Sequence, residues 1–527
     1  MKRTISPMAL LFASVSAILG SGWLFSAFLT AKIAGPAALA AWVIGGLIMM
    51  GIAFVFAELC AMIPITGSST RIPQFTHGTI VSFLFAWMIW ISYLSFSPAE
   101  VQAVLQYTSF YFPSLVHPHG GLAKHGYIAA TVLMLVISSL NTYSLLWLIR
   151  SNNFLTLMKI AIPLILTISV LVVILSPHHL LHPANSKFMP YGWHGIFGSL
   201  STGGIVFAFN GFKQAAEMAG EAKNPNKALP FAIIGSITVC LIIFLLLEMA
   251  FLTSLTPANL AHGWRHIHLS DNNSPLAAIL ASDHLNIILP FLYVGAIIAP
   301  LAAALMYCGS ASRSLYAMSK NGYLPRFFQD VTAQGNPAYA ILFNFVIGMC
   351  MFAPLPGWDK MVAFLTSLIA VTYGIAPICL LSLRYKLPNH KRPFRLPLAI
   401  VWSYLAFLVC TLLAYWSGWQ VIYKMDIGII IGFIVLFAYH FLTKRGRKLQ
   451  VNWKSSLWVY LYFSGLSILS YYGNYNGGKG VLSEATELPI MSIFCAAILG
   501  LAIWVSLPKE RIEQYIQDNL GKDELVL

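Results

Sequence analysis

Charge is what this sequence has least of. Only 9% of its 527 residues are Asp, Glu, Lys or Arg, against 58% that are hydrophobic, which excludes an ordinary soluble globular domain. Acidic residues are scarcest, 17 against 31 Lys and Arg. A basic excess invites a nucleic-acid partner. Once membrane spans are drawn with the N-terminus inside, however, most of the Lys and Arg fall on the cytoplasmic side, as the positive-inside rule requires. The basic clusters at 384–395 and 444–448 therefore read as topology signals and contacts to anionic membrane lipids, not as nucleic-acid patches.

Cysteine is also sparse. The seven cysteines all lie in apolar runs with no C-x-x-C, so the sequence offers neither a disulfide framework nor a thiolate metal site, and they read as small core residues. His117, His119 and His125, and then His178, His179 and His182, form two loop clusters. Neither has Cys or Asp at ligand spacing, so both read as solvated loops, not zinc sites. No nucleophile, base and metal set converges at one depth, as a membrane-embedded enzyme would need. No sizeable soluble stretch exists to serve as the output domain of a sensor. The first apolar run follows Met1-Lys2-Arg3 but has no A-x-A pattern after it, so it is read as a retained first helix rather than a signal peptide.

What the chain does have is apolar runs, about fourteen of them long enough to span a bilayer. It is an all-α polytopic membrane protein. Two of the runs are interrupted. The first, from about residue 9 to 31, carries Ile18-Leu19-Gly20-Ser21-Gly22-Trp23 at its centre. A helix that opens there exposes backbone N–H and C=O groups at membrane depth, which is tolerated only where they line a cavity or hold a ligand. Alone, the glycines fit helix packing better than a binding site. The sixth run is interrupted in the same way, at Ser201-Thr202-Gly203-Gly204 through Phe209-Asn210-Gly211-Phe212-Lys213. Two interrupted helices five spans apart are the pattern of an inverted repeat of five plus five helices with its site at the repeat interface. The organisation expected is a transporter core over 1–397, about four accessory helices over 398–508, and a cytoplasmic tail over 509–527 with alternating charges that suit a solvated amphipathic end.

Ionisable residues inside spans are functional candidates by default. Glu58, near the end of the second span, suits acceptance of hydrogen bonds from a neighbouring helix or loop. Glu100 in the long third run and Glu248 in the seventh are buried acids, with proton handling and structural pairing both open for Glu100. Lys159, near one end of the fifth span, either snorkels to the interface or sheds and regains a proton during a cycle.

These residues carry a resemblance. Gly20-Ser21-Gly22, the acidic second-helix end before Pro64 and Gly67, and Gly220-Glu221-x-x-Asn224-Pro225 through Pro230 recur in order with Ser312-Arg313-x-Leu315-Tyr316, Gly322-x-Leu324-Pro325 and Arg392-Pro393-Phe394-Arg395-x-Pro397. Together they resemble an amino acid permease of the amino acid/polyamine/organocation superfamily, over about residues 8 to 400. Within it the chain looks most similar to bacterial aspartate:proton symporters.

That resemblance implies secondary active transport of an amino acid across the cell membrane, with both termini cytoplasmic. It implies no cofactor, and coupling to protons rather than sodium. The substrate carboxylate would meet Ser21 and the N–H of Gly22. Its ammonium would meet carbonyls of Ile18, Phe207 and Asn210, and Phe207, Phe209 and Tyr93 would close over its side chain. Lys159 matches the fifth-helix position where proton-coupled relatives carry lysine in place of a sodium ion, which favours its protonation role and places it with Glu100 in coupling. Lys213 departs from the family, many members of which have glutamate there. A buried lysine repels a cationic substrate and suits an acidic or neutral one, aspartate or glutamate above all, unless it snorkels. Exchange of an amino acid for its product is the alternative mode.

Overall fold

The computed structural model describes residues 5–63, 68–143, 145–174, 187–218, 222–332, 335–443 and 451–525. Part of the 64–67 and 219–221 motif residues, the cluster at 444–448, and His178, His179 and His182 lie outside them. The described residues are helical almost throughout. Helices that are apolar on every side, as here, are buried in protein or in lipid. Among the described residues eleven helical stretches are long and apolar enough to cross a membrane, and one of these, Gly22–Met62, joins the second half of the first pass to the second pass. With the short helix Ala338–Met351 and the less apolar Trp453–Tyr472, they account for about fourteen apolar runs.

The first pass is α1 (Pro7–Ile18) and α2 (Gly22–Ala34), followed by α3 (Ala38–Met62), the connecting helix α4 (Ser68–His77), α5 (Thr79–Thr108), α6 (Lys124–Tyr143) and α7 (Leu145–Ile174). The sixth pass is in pieces: α8 (Gly192–Ser201), α9 (Ile205–Ala208), a 3₁₀ turn Asn210–Phe212 and α10 (Lys213–Glu217). Then come α11 (Pro225–Ser254), the short loop helix α12 (Pro275–Ser282), α13 (Leu289–Lys320), α14 (Ala338–Met351), and α15 (Trp358–Tyr373) with α16 (Ile375–Lys386). The remainder is α17 (Ala399–Trp416), α18 (Trp419–Leu442), α19 (Trp453–Tyr472), α20 (Glu484–Trp504) and α21 (Lys509–Leu525).

Burial separates centre from rim. The apolar window of α5 is 94% buried and that of α15–α16 wholly so, whereas those of α6, α18 and α20 are about one-third buried or less. The central helices therefore face protein on all sides and the rim helices present apolar surface outward, as lipid requires. α5 runs along α13 and α15, so the interior helices pack chiefly against one another and not against the rim.

The later helices brace the connecting helix α4. The Ser455 hydroxyl of α19 donates to the His77 carbonyl at 2.6 Å, and the Leu507 N–H donates to the Thr76 carbonyl at 2.8 Å. The His77 ring lies between the Thr76 hydroxyl (2.8 Å) and the Ala502 carbonyl of α20 (3.1 Å). The tail is docked and not simply solvated: Ile512 and Ile516 of α21 are buried and Tyr515 stacks on Phe75. An i, i+4 apolar pair on an otherwise charged helix makes the stripe that docks it. Glu58 of α3 does accept hydrogen bonds: Arg384 reaches it through Nε at 2.9 Å and through a second nitrogen at 2.5 Å, and the Leu396 N–H at 2.7 Å. Six of the cysteines are buried, as expected of core residues; Cys350 is exposed on α14.

Candidate functional site

The first pass opens between α1 and α2. Leu19 N–H still donates to Val15, but Gly20 N–H turns back to the Ile18 carbonyl at 2.9 Å, and the ladder restarts with Leu24 N–H on the Ser21 carbonyl at 3.0 Å. The first N–H groups of α2 therefore have no partner within their helix and carry the positive end of its dipole. The sixth pass opens after Ser201, where Gly204 takes φ +87°, and again at the 3₁₀ turn around Asn210.

The two openings touch. A Cβ on Gly211 would lie 2.2 Å from the Ile18 nitrogen and 2.3 Å from the Ala17 carbonyl carbon. Only glycine fits, since both contacts are to backbone that cannot move aside. A Cβ on Gly22 would stand 3.0 Å from that of Ala208. The end of α1 thus crosses the 3₁₀ turn while the start of α2 lies along α9.

Buried charges grip both sides of the first opening. The Glu100 carboxylate of α5 accepts the Ser21 N–H at 2.8 Å, at the positive end of α2. The Lys159 ammonium of α7 donates to the Ser16 carbonyl at 2.8 Å and to its hydroxyl at 3.3 Å, at the negative end of α1. Each charge complements the half-helix dipole it meets, and the two attract one another. Lys159 is 2% exposed, so it is held at the opening and does not snorkel to the interface. A Cβ on Gly20 would be 2.5 Å from a Glu100 oxygen, so the glycine makes room for the acid.

Around the second opening the side chains are aromatic. Phe207 stacks on Phe96 at 5.1 Å, Phe96 on Tyr307 at 3.8 Å, and Tyr93 meets Tyr307 at 5.7 Å. The Asn210 amide donates to the Tyr307 hydroxyl at 2.9 Å, and the Tyr373 hydroxyl faces both the Asn210 side-chain oxygen, which is nearer, and the Asn210 backbone carbonyl at 3.0 Å. The Lys213 ammonium lies 5.6 Å from the ring centres of both Tyr93 and Tyr373 and the residue is 5% exposed, so it too is held inside. On the other side, Trp358 Nε1 donates to the Ser21 hydroxyl at 2.7 Å, and the indole stacks on Phe25 and meets Phe207 edge-on.

Ile18, Ser21, Gly22, Glu100, Tyr93, Lys159, Phe207, Asn210 and Lys213 are therefore gathered about the two openings. Phe209 differs from expectation: its ring packs against Trp42 and Phe244, away from Phe96 and Tyr307. Residues two apart on a helical turn do not share a face, so Phe207 and Phe209 cannot both face one pocket. The expected carbonyls already have partners, Ile18 the Gly20 N–H, Phe207 the Phe209 N–H and Asn210 the Tyr373 hydroxyl, which leaves each a second lone pair. Sequence reasoning passed over Phe96, Tyr307, Trp358 and Tyr373. The one signal for Trp358 was Gly357 before it, whose φ of +92° turns the chain into α15.

Two discontinuous helices crossing at buried, charge-gripped openings define a multi-pass membrane protein built around a polar centre. A family model described as Amino acid permease matches residues 5–423, and the chain belongs to that family. It is 31% identical to the glutamate/serine transporter AimA of Bacillus subtilis (strain 168), over 98% of this chain and 95% of that one. It is 29% identical to the aspartate-proton symporter of the same organism, over 97% and 98%. A more distant relative there is the branched-chain amino acid permease BcaP, 26% identical over 83% of this chain and 93% of its own. The protein is an amino acid transporter of the membrane and not an enzyme.

Proposed function

We propose that this permease takes up acidic amino acids, aspartate or glutamate, together with protons across the cell membrane, with both termini cytoplasmic. The observation that carries the substrate class is Lys213, a buried ammonium between Tyr93 and Tyr373 beside the second opening. A second carboxylate on the substrate pairs with it in a low-dielectric site, where attraction is strong and a cationic side chain is repelled. Relatives named for glutamate/serine and for aspartate-proton transport support this reading.

The α-carboxylate binds at the positive end of α2, to the Gly22 N–H and Ser21. The Ser21 hydroxyl accepts from Trp358 and keeps its own hydrogen to donate. The ammonium takes the second lone pairs of the Ile18, Phe207 and Asn210 carbonyls. Phe207 and Tyr93 cover the side chain.

Coupling follows from the same geometry. A substrate carboxylate arriving at the start of α2 meets Glu100 already there, and two carboxylates on one helix terminus repel. A proton on Glu100 removes that repulsion, so substrate and proton bind cooperatively, and the cooperativity is reciprocal. Lys159 supplies or accepts the proton and thereby tightens or loosens its hold on the end of α1. Helices α1, α2, α3, the sixth pass and α11 then rock against the rest of an inverted-repeat core over 1–397, with 398–508 as accessory scaffold and no cofactor or sodium ion involved.

Uptake of labelled aspartate into proteoliposomes tests the proposal. Accumulation driven by an inward proton gradient and abolished by a protonophore is expected. Uptake indifferent to the protonophore but stimulated by internal amino acid would replace symport with exchange.

A further inference from the structure

Glu248 lies on α11, away from the two openings, and is fully buried. One of its oxygens, Oε2, is 2.7 Å from the Thr30 hydroxyl of α2 and 2.9 Å from Trp42 Nε1 of α3. Its other oxygen has no hydrogen-bond partner among the described residues. The Thr30 hydroxyl also stands 2.6 Å from the Ser26 carbonyl, four residues back, and at a longer 3.1 Å from the Ala27 carbonyl.

Counting hydrogens decides the state of this acid. A threonine hydroxyl has one hydrogen to give, and neither a backbone carbonyl nor an ionised carboxylate has any. With Glu248 ionised, one of the two short oxygen contacts, at 2.6 and 2.7 Å, would hold no hydrogen at all, at a separation that suits only a hydrogen bond. With a proton on Glu248 both contacts are satisfied: the acid donates to Thr30, Thr30 donates to Ser26, and Trp42 still donates to the acid.

The surroundings agree. The charged side chains on neighbouring elements are engaged elsewhere: Lys32 over the Phe28 ring, Glu58 with Arg384, Lys159 with Ser16, and Lys213 between its two tyrosines. A bare carboxylate oxygen buried without a partner is far costlier than a bare carbonyl oxygen of a neutral acid. We propose that Glu248 is a standing proton-binding site, a neutral carboxylic acid that ties α2, α3 and α11 together and does not exchange its proton during transport. It is a positioning residue, distinct from the coupling pair Glu100 and Lys159.

Difference infrared spectroscopy of the purified protein in lipid tests this, with wild type compared against Glu248→Gln. A protonated-carboxyl carbonyl band missing from the variant, unchanged from about pH 5 to about pH 8 and unmoved by aspartate, is expected. Thr30→Val, which removes the hydroxyl and keeps the shape, should shift that band and provides its assignment if Glu248→Gln does not fold. Where Glu248→Gln folds, its uptake should keep the wild-type pH profile, because the amide, like the acid, is neutral throughout; it satisfies only one of Thr30 and Trp42, since an amide atom cannot both donate and accept. An ionised band, a band that titrates within that range or responds to substrate, or an altered pH profile of uptake would overturn the proposal.

Discussion

The Glu100 carboxylate and the Ser21 backbone N–H meet at 2.8 Å where α2 begins, so the acid of the third pass occupies the terminus at which a substrate carboxylate is expected to bind. That contact joins the binding opening to the proton. Glu100→Gln keeps an acceptor for Ser21 while removing the titration. Its aspartate uptake should lose most of its pH dependence and its dependence on the proton gradient, while binding measured by thermal shift persists. A pH profile identical to wild type would remove Glu100 from coupling.

Lys159 is bonded to Ser16 on the opposite side of the same opening. Lys159→Ala should abolish gradient-driven accumulation. It leaves the Ser16 carbonyl without its charged donor, a loss of about 1.5–3 kcal/mol for a hydrogen bond to a charged group, so a lower melting temperature is also expected. Unchanged pH-dependent uptake would sink its coupling role.

Lys213 should read the substrate side chain. Lys213→Glu is expected to weaken aspartate and glutamate by tenfold or more relative to alanine, about 1.4 kcal/mol of discrimination. The thermal shift that each amino acid gives the variant, compared with wild type, measures this, and equal losses for all three would count against it.

Gly211→Ala places a methyl group on the Ile18 and Ala17 backbone. Overpacking of a tight core costs about 1–3 kcal/mol and more when backbone must shift. The variant should insert but lose transport and melt early, as gel filtration and uptake would show; wild-type transport would mean the two openings do not pack as described.

His77, outside the spans, links acid stability to the accessory helices. Burial lowers its pKa from 6.5 to about 4, partly offset by the bond to Ala502. The neutral ring is the form the fold favours, so this contribution is complete above about pH 6.5 and lost as pH falls toward about 4, a change of about 3 kcal/mol. Melting temperature should drop over that window. His77→Gln should be less stable at neutral pH and show a flatter profile; an unaltered slope would exclude His77 as its source.

Much of this was legible in the sequence because a bilayer leaves so few options. Apolar runs must be helices, and a Gly-Ser-Gly at mid-run must be packing or a site. Recurrence at 201–213 favoured the site, and Ser21, Asn210, Lys159 and Glu100 do gather there. The partners that arrive from distant helices were not legible. Trp358 and Tyr373 look like any aromatic in an apolar run, and only the fold brings α15 across both openings. Phe209 was misplaced because it lies two residues from Phe207, and on a helical turn the two take different faces. The docking of α21 was missed for the opposite reason: its charges dominate its composition while two isoleucines decide its position.

The most direct test is lumenal pH in proteoliposomes that enclose a pH-sensitive dye. External aspartate should acidify the lumen of vesicles holding the wild-type protein and leave the pH unchanged in those holding Lys159→Ala. Aspartate entry into wild-type vesicles with no acidification would contradict proton-coupled uptake.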